Sequence, residues 1–434
     1  LKYLIFVAAL LTGLNLISIN TCGILALPFG EASAQDLSGL KLSGFGTLST
    51  TLDDRDDICP VRDIGQTPNP NRRYKNNWTA VMDSRLGLQA HYRANSDLDF
   101  VIQGVLRDQA YVNLKNSVEL AYFSFRPSSW LEFRGGKLGY DAFLMSNTRN
   151  FGYAYSWVRP PIDFYGWIPV FHMDGADATL RVDRENSQWQ FRVQVGEQNM
   201  PFTIDRSDYE SQTRGLYTLT LGRQSGPFTL KAGYSSFSLT NEMSMFVPLQ
   251  EGLEPIVNNT DLPSEIIDEA RYFRNNLTFK DVEITYMTLG ASYDDGQWIA
   301  QAEIARSTST AEVFTHGSMG YASLGYRIGD FTPYFILSAI RAANDVRKPV
   351  ADWSFMEESW MQDVATSIIN TTRMNQDTRA MGIRWDFHLQ AALKFQLDNI
   401  HIHPNGYGMW FSKGNTSDRE SRINLGTVSM EIMF

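Results

Sequence analysis

Residues 84–93 read SRLGLQAHYR, residues 94–97 ANSD and residues 98–107 LDFVIQGVLR. In the first run Leu86, Leu88, Ala90 and Tyr92 fall on one face, and Arg85, Gln89, His91 and Arg93 on the other. In the second, Leu98, Phe100, Ile102 and Leu106 lie opposite Asp99, Gln103 and Arg107. Successive side chains of an extended chain point to opposite faces, so strict alternation predicts two strands, and the polar four-residue link makes them a hairpin.

The same alternation recurs along the chain. Residues 176–183 set Ala176, Ala178, Leu180 and Val182 against Asp177, Thr179, Arg181 and Asp183. Residues 189–196 set Trp189, Phe191, Val193 and Val195 against Gln190, Arg192 and Gln194, and 391–398 set Leu393, Phe395 and Leu397 against Lys394, Gln396 and Asp398. Sixteen strands are expected, near 40–52, 83–93, 98–107, 118–126, 130–138, 176–183, 189–196, 215–222, 228–239, 282–293, 298–305, 320–327, 331–341, 378–386, 391–398 and 422–434. Those at 118–126 and 282–293 rest on spacing as much as on pattern.

The connections alternate short and long. The short ones are 94–97, 127–129, 184–188, 223–227, 294–297, 328–330 and 387–390; the long ones lie near 53–82, 108–117, 139–175, 197–214, 240–281, 306–319, 342–377 and 399–421. Tight turns on one rim and long loops on the other describe an all-β, 16-stranded antiparallel up-and-down transmembrane barrel. In lipid an open sheet edge leaves unpaired N–H and C=O groups, so the sheet must close on itself. The face opposite the apolar one carries Arg85, Arg93, Arg107, Glu132, Arg134, Arg192, Lys231, Glu303, Arg327, Arg384 and Lys394. Unpaired in a dry core these would be very unfavourable. The apolar face is therefore expected outside and the charges inside, solvated around a water-filled lumen of the width sixteen strands allow. Tyr92, Trp189, Tyr234, Trp298, Tyr326 and Trp385 are expected near strand ends, at headgroup level.

Composition agrees. The 434 residues are 43% hydrophobic and 13% aromatic, too aromatic for disorder. With 38 Lys+Arg, 48 Asp+Glu and a net charge of −10, the chain is too acidic for a general nucleic-acid binder. After residue 35 no apolar run reaches membrane-helix length. Residues 1–34 read as a signal peptide: Lys2, an apolar run from Leu4 to about Leu27, and Ala32-Ser33-Ala34 before a mature start at Gln35. The barrel then occupies 35–434. An uncleaved anchor is the alternative; Cys22 lacks the small residues that a lipid-attachment site needs. Cys59 is then the one mature cysteine, which suits an oxidising compartment, and is read as a bland thiol.

Two regions carry a family resemblance. Val428, Met430, Ile432 and Phe434 share a face of the last strand, which resembles the C-terminal strand of Gram-negative outer-membrane proteins. Leu42-Ser43-Gly44-Phe45-Gly46-Thr47-Leu48 resembles the first strand of bacterial porins. Leu131-Glu132-Phe133-Arg134-Gly135-Gly136-Lys137-Leu138, followed by Trp157-Val158-Arg159-Pro160-Pro161 and Asp174-Gly175, is similar to one branch of the porin superfamily, as are Arg384-Trp385-Asp386-Phe387 and Ala392-Leu393-Lys394. The resemblance implies the cell outer membrane of a Gram-negative bacterium, contact with outer-membrane lipid, a homotrimer, and handling by the barrel-assembly machinery during biogenesis.

It also implies that the loop after the fifth strand, 139–175, folds inward and constricts the pore. The loop is rich in aromatic residues, among them Tyr140, Phe143, Tyr155, Trp157, Phe164, Tyr165 and Phe171, and is stiffened by Pro160, Pro161 and Pro169. Porins set loop carboxylates against a basic wall. The loop charges are Asp141, Arg149, Arg159, Asp163 and Asp174, with His172; the basic wall would be Arg85, Arg107 and Arg134, with Arg93 and Lys231 as weaker candidates. For Arg159 the alternative is a salt bridge tying the loop to the wall.

No catalytic, cofactor or metal site is expected. His316-Gly317-Ser318-Met319-Gly320 lacks the glycine a nucleophile elbow needs at its first position. His401 and His403 share a face, but no third ligand is evident. Ser354-Phe355-Met356-Glu357 is a possible capping box, with Met356, Trp360, Val364 and Ile368 at helical spacing. The acids of 240–281 (Glu251, Glu254, Asp261, Glu265, Asp268, Glu269) read as solvated loop charge. The expected function is a porin, passing small hydrophilic solutes and ions. The alternatives are a substrate-selective porin for a sugar or anion, with loop aromatics stacking on the ligand, a barrel enzyme, or a surface adhesin.

Overall fold

The structure, a computed structural model, describes residues 39–434 apart from 56–57, 67–76, 110–112, 169, 205–206, 245, 315, 404–405, 409 and 413–420. The expected signal peptide lies outside the described residues, as does Pro169. Sixteen long antiparallel strands form the wall: β1 (Leu40–Asp53), β2 (Arg85–Arg93), β3 (Leu98–Arg107), β4 (Val118–Ser128), β5 (Leu131–Gly139), β6 (His172–Arg184), β7 (Ser187–Glu197), β8 (Ser207–Ser225), β9 (Phe228–Leu239), β10 (Glu283–Asp294), β11 (Trp298–Ser309), β12 (Gly317–Tyr326), β13 (Phe331–Ala342), β14 (Asn375–His388), β15 (Ala391–Ile402) and β16 (Ser421–Met433). Each pairs with its neighbours in chain order. β1 and β16 close the sheet from Phe45↔Met433 to Asp53↔Leu425, and Gly44 and Phe434 exchange backbone hydrogen bonds of 2.7 and 2.9 Å. No sheet edge is left for lipid to meet, as the missing water in a bilayer demands. Two short strands, Trp78–Thr79 and Asn199–Ile204, add to the sheet at the long-loop rim.

All sixteen expected strands are present. Several run longer than the alternation that announces them. β8 begins at Ser207 rather than near 215, crossing an irregularity between Arg214 and Tyr217 where Gly215 adopts a φ of +61°, a conformation glycine takes without a Cβ penalty. β6 begins at His172, so the loop after β5 is 140–171 and Asp174 belongs to a strand. Beyond the lipid, a strand end needs ladder partners but no apolar face, which is why alternation stops before the strand does.

The outward face is apolar. Leu48, Leu88, Ile102, Phe123, Leu180, Leu289, Ile304, Leu337 and Leu397 are all exposed, one or more from most strands around the wall. So large a contiguous apolar surface is untenable in water and natural in acyl chains. Beside the short turns, aromatic rings pair: Trp298 with Tyr326 (centroids 4.6 Å apart) and Phe331 with Trp385 (5.8 Å). Tyr234 departs from this expectation, packing mid-strand against Tyr217 at 5.9 Å.

Two long loops carry helices: α1 (Val247–Asn258) and α2 (Ser264–Asn276) after β9, and α3 (Ser359–Asn370) after β13. Leu253, Phe273, Ala365 and Ile369 join one buried cluster that continues into the loop 140–171 and the wall. The helix expected after Ser354 begins later, at Ser359, and no side chain caps it. Its buried stripe is Met361, Ala365 and Ile369, one residue on from the predicted one, which leaves Trp360 and Val364 exposed. Of the six acids Glu251, Glu254, Asp261, Glu265, Asp268 and Glu269, all but the last are exposed as expected. Glu269 is buried and accepts hydrogen bonds from the Val350 and Ala351 backbone (2.8 and 3.1 Å), Trp353 Nε1 (3.1 Å) and Gln362 Nε2 (2.6 Å), tying the loop after β13 to α2.

Candidate functional site: the loop 140–171 and the inner wall

The loop leaves β5 with Asp141, whose carboxylate takes Arg192 of β7 and Lys231 of β9 (2.5 Å) while its backbone N–H donates to Gln194 Oε1 (2.9 Å). Leu144 N–H then donates to Glu303 Oε1 of β11 at 2.9 Å, and Tyr165 OH donates to Glu303 Oε2 at 2.5 Å. Pro160 and Pro161 deliver the chain into one wide helical turn, Ile162–Gly166, closed by Tyr165 N–H to Pro161 O at 2.8 Å. That turn aims Asp163 at β13 and β14, where Ser338 Oγ (2.6 Å), Thr378 Oγ1 (3.1 Å) and Gln376 Nε2 donate to it. Phe143, Phe164, Tyr165, Tyr286 and Tyr321 interlock edge to face at 4.8–6.2 Å.

Cations fix the middle of the loop. Arg159, 1% exposed, bridges Asp83 (2.8 Å) and Asp398 of β15 (2.6 Å). The salt-bridge alternative for this residue is thus the arrangement the molecule adopts. Lys394 of β15, fully buried, donates to three loop carbonyls, those of Gly152 (2.7 Å), Tyr155 (2.8 Å) and Trp157 (2.7 Å), with Glu431 of β16 at 3.7 Å. An ammonium has three donors, and here each meets an acceptor.

A second basic group gathers where the loop returns to β6. Arg107 pairs with Glu119 (3.0 Å), which also meets His172 Nδ1 (3.1 Å). The guanidiniums of Arg107 and Arg149 both stack on Phe171, at 3.7 and 3.4 Å from the ring centroid. Arg149 donates to the Ile168 (3.1 Å) and Val170 carbonyls, and Arg85 donates to Tyr155 OH at 2.8 Å. Among the described residues, neither Arg85 nor Arg149 has a carboxylate at ion-pair distance and the Nε–H groups of Arg85, Arg107 and Arg149 have no hydrogen-bond acceptor. Burial raises the Asp63 carboxyl, but Arg62, Arg107 and Arg149 together outweigh it and hold Asp63 below the usual carboxylate range. Burial pushes Asp163, which has no cation beside it among the described residues, up to about 6.

Of the expected residues, Arg85, Arg107, Arg134, Asp141, Arg149, Arg159 and Asp163 all face inward or pack against the inner wall; Arg134 is paired with Asp177 of β6. Asp174 stands apart, exposed and in phase with the outward Leu180 rather than the inward Asp177. Arg93 is exposed and paired with Asp99 (3.4 Å). Sequence reasoning missed Asp63, Asp83 and Glu119, and did not single out Asp398 and Glu431. Of these, only Asp398 and Glu431 carry a sequence signal, a charge in the inward phase of an alternating strand.

One expectation is corrected. The inward charges are not bathed in an open lumen: Arg192, Glu303 and Lys394 are buried, because the loop folds against them and supplies partners, Asp141 for Arg192, Leu144 and Tyr165 for Glu303, and three carbonyls for Lys394. Other inward groups keep part of their exposure, among them Gln89, His91, Gln103, Arg126 and Arg181 on β2–β6, and Lys231, Gln301 and Arg384 on later strands.

No family model matches the chain, and no curated protein is similar to it in sequence. Solved structures resemble it in fold. OmpF of Salmonella typhi, in complex with daunomycin, superposes with a TM-score of 0.52 at 12% identity over 91% of this chain and 97% of that one. The anion-selective porin from Comamonas acidovorans superposes at 0.50 with 10% identity over 91% of this chain and 100% of that one. What these structures share with the chain is the fold, a closed 16-stranded antiparallel barrel of the porin type.

Proposed function

We propose that the chain is an outer-membrane porin, a channel for passive diffusion of small hydrophilic solutes and ions, and that the loop 140–171 sets its narrowest point. One observation supports the reading: Arg159, Tyr165 and Asp163 of the loop contact Asp398, Glu303 and Ser338, residues on the inward phase of their strands, while the outward face is apolar. A charged solute faces a large penalty in hydrocarbon, and a polar path through the wall removes most of it. The inward polar groups that keep some exposure, such as Gln89, Gln103, Arg126, Gln301 and Arg384, would line that path. Assembly as a homotrimer belongs to this proposal. Planar-bilayer recording on purified protein tests it: stepwise conductance is expected, and a barrel that never conducts would leave a structural or adhesive role instead.

A second reading, an anion-preferring porin, is favoured by the buried guanidiniums of Arg85 and Arg149, whose Nε–H donors meet no acceptor among the described residues. A reversal potential under a salt gradient that reports cation preference would remove it. Stacking of a sugar on the loop aromatics finds no such support, since Trp157, Phe164 and Tyr165 are buried against each other and the wall.

A further inference from the structure

At the long-loop end of β15, His401 and His403 lie on the outward phase, flanking the fully inward Ile402. The register places Asp377 of β14 directly beside His401. This supplies the third donor that the sequence alone does not reveal. One ligand atom from each of Asp377, His401 and His403 lies within 4.8 Å of the others. His403 Nε2 is 2.5 Å from Asp377 Oδ2, and the two imidazole rings are 4.4 Å apart.

We propose that Asp377, His401 and His403 form a binding site for a divalent transition-metal ion, of the zinc and copper class, on the outer rim of the barrel. Two imidazole nitrogens and one carboxylate oxygen are the donor set these ions favour; calcium and magnesium call for more oxygens. Ligands about 2.0–2.2 Å from a tetrahedral ion stand roughly 3.3–3.6 Å from each other, so the three atoms need shifts of about 1 Å, within reach of side-chain rotation. The site is open to solution. On the same outward phase of β15 the exposed Leu397 gives way to Asn399, which pairs with Asn424 at 2.7 Å, and then to His401, roughly 13 Å along the strand from Leu397.

Two cations compete for the same ground. Arg341 pairs with Asp377 and lies 3.5 Å from His403 Nε2, while Arg422 of β16 is the register partner of His401. The Arg341 side chain is 43% exposed and Arg422 is exposed, so each retracts into water when an ion takes its place.

The test is calorimetric titration of Zn2+ into the tag-free, folded barrel in detergent, with Cu2+ and electron paramagnetic resonance as a second readout. The expected result is one saturable site per chain. Its affinity should fall at least about tenfold in Asp377→Asn, vanish in His401→Ala/His403→Ala, and rise in Arg341→Gln. Hyperfine coupling of bound Cu2+ to two nitrogens in the unmodified protein supports the site whether or not a variant folds. Absence of saturable binding, equal binding by the double-histidine variant, or a copper signal with fewer than two nitrogens overturns it.

Discussion

Arg149 and Arg159 sit on the same loop, both almost fully buried, and their surroundings treat them in opposite ways. Arg159 is held between two carboxylates, Asp83 and Asp398. Arg149 is held by two backbone carbonyls and a phenyl face, with no carboxylate in contact among the described residues. The first arrangement neutralises the charge and converts it into an anchor. The second satisfies only part of the five donors and leaves the positive field largely intact, reinforced by Arg107 on the same ring. One loop thus separates holding from field-making, and variants of each kind should separate too.

The largest effect is expected at the anchor. Arg159→Met leaves Asp83 and Asp398 buried without a counter-charge, a loss of about 3–5 kcal/mol, read as a lower thermal midpoint and noisier, larger conductance. A variant as stable as the parent would break the comparison. Next comes Lys394→Met, which strips three loop carbonyls of a charged donor, at about 1.5–3 kcal/mol by the same thermal measurement. At the field-making end, Arg149→Ala costs less stability than Arg159→Met but shifts the reversal potential toward cations. If stability falls and selectivity stays put, Arg149 is a second anchor and the distinction fails.

The smallest effect concerns pH. Burial raises the Asp163 carboxyl to about 6, above its unfolded value, so its contribution is full below the unfolded pKa and is lost as pH rises through about 6. The thermal midpoint should therefore be higher at pH 5 than at pH 7.5 relative to Asp163→Asn, in which this part of the pH dependence disappears. Parallel profiles for the two proteins would show that Asp163 takes no part in docking the loop.

The wall was legible because alternation is a local signal. Each strand announces which residues face lipid, and the sorting of short and long connections announces closure. The site was legible only in its loop half. Arg159 and Asp163 were visible as buried-loop charges, but Asp83 lies 76 positions from Arg159 and Asp398 239 positions away, and only the closed ring brings them together. The solvated reading of the inward charges failed for the same reason. A strand's pattern records that Lys394 points inward, not that a distant turn at Gly152–Trp157 is waiting there. The helix after β13 shows a smaller version of the limit: spacing located it, but packing against α1 and α2 chose a stripe one residue over.

The final strand has a double duty. β16 zips the seam against β1, and its buried Thr427 and Glu431 also grip Arg159 and flank Lys394. Sealing the cylinder and seating the inner loop are consequently one event rather than two. A nascent sheet lacking that last segment would have both a raw edge and an undocked loop, so the wall and the loop inside it reach their final arrangement together.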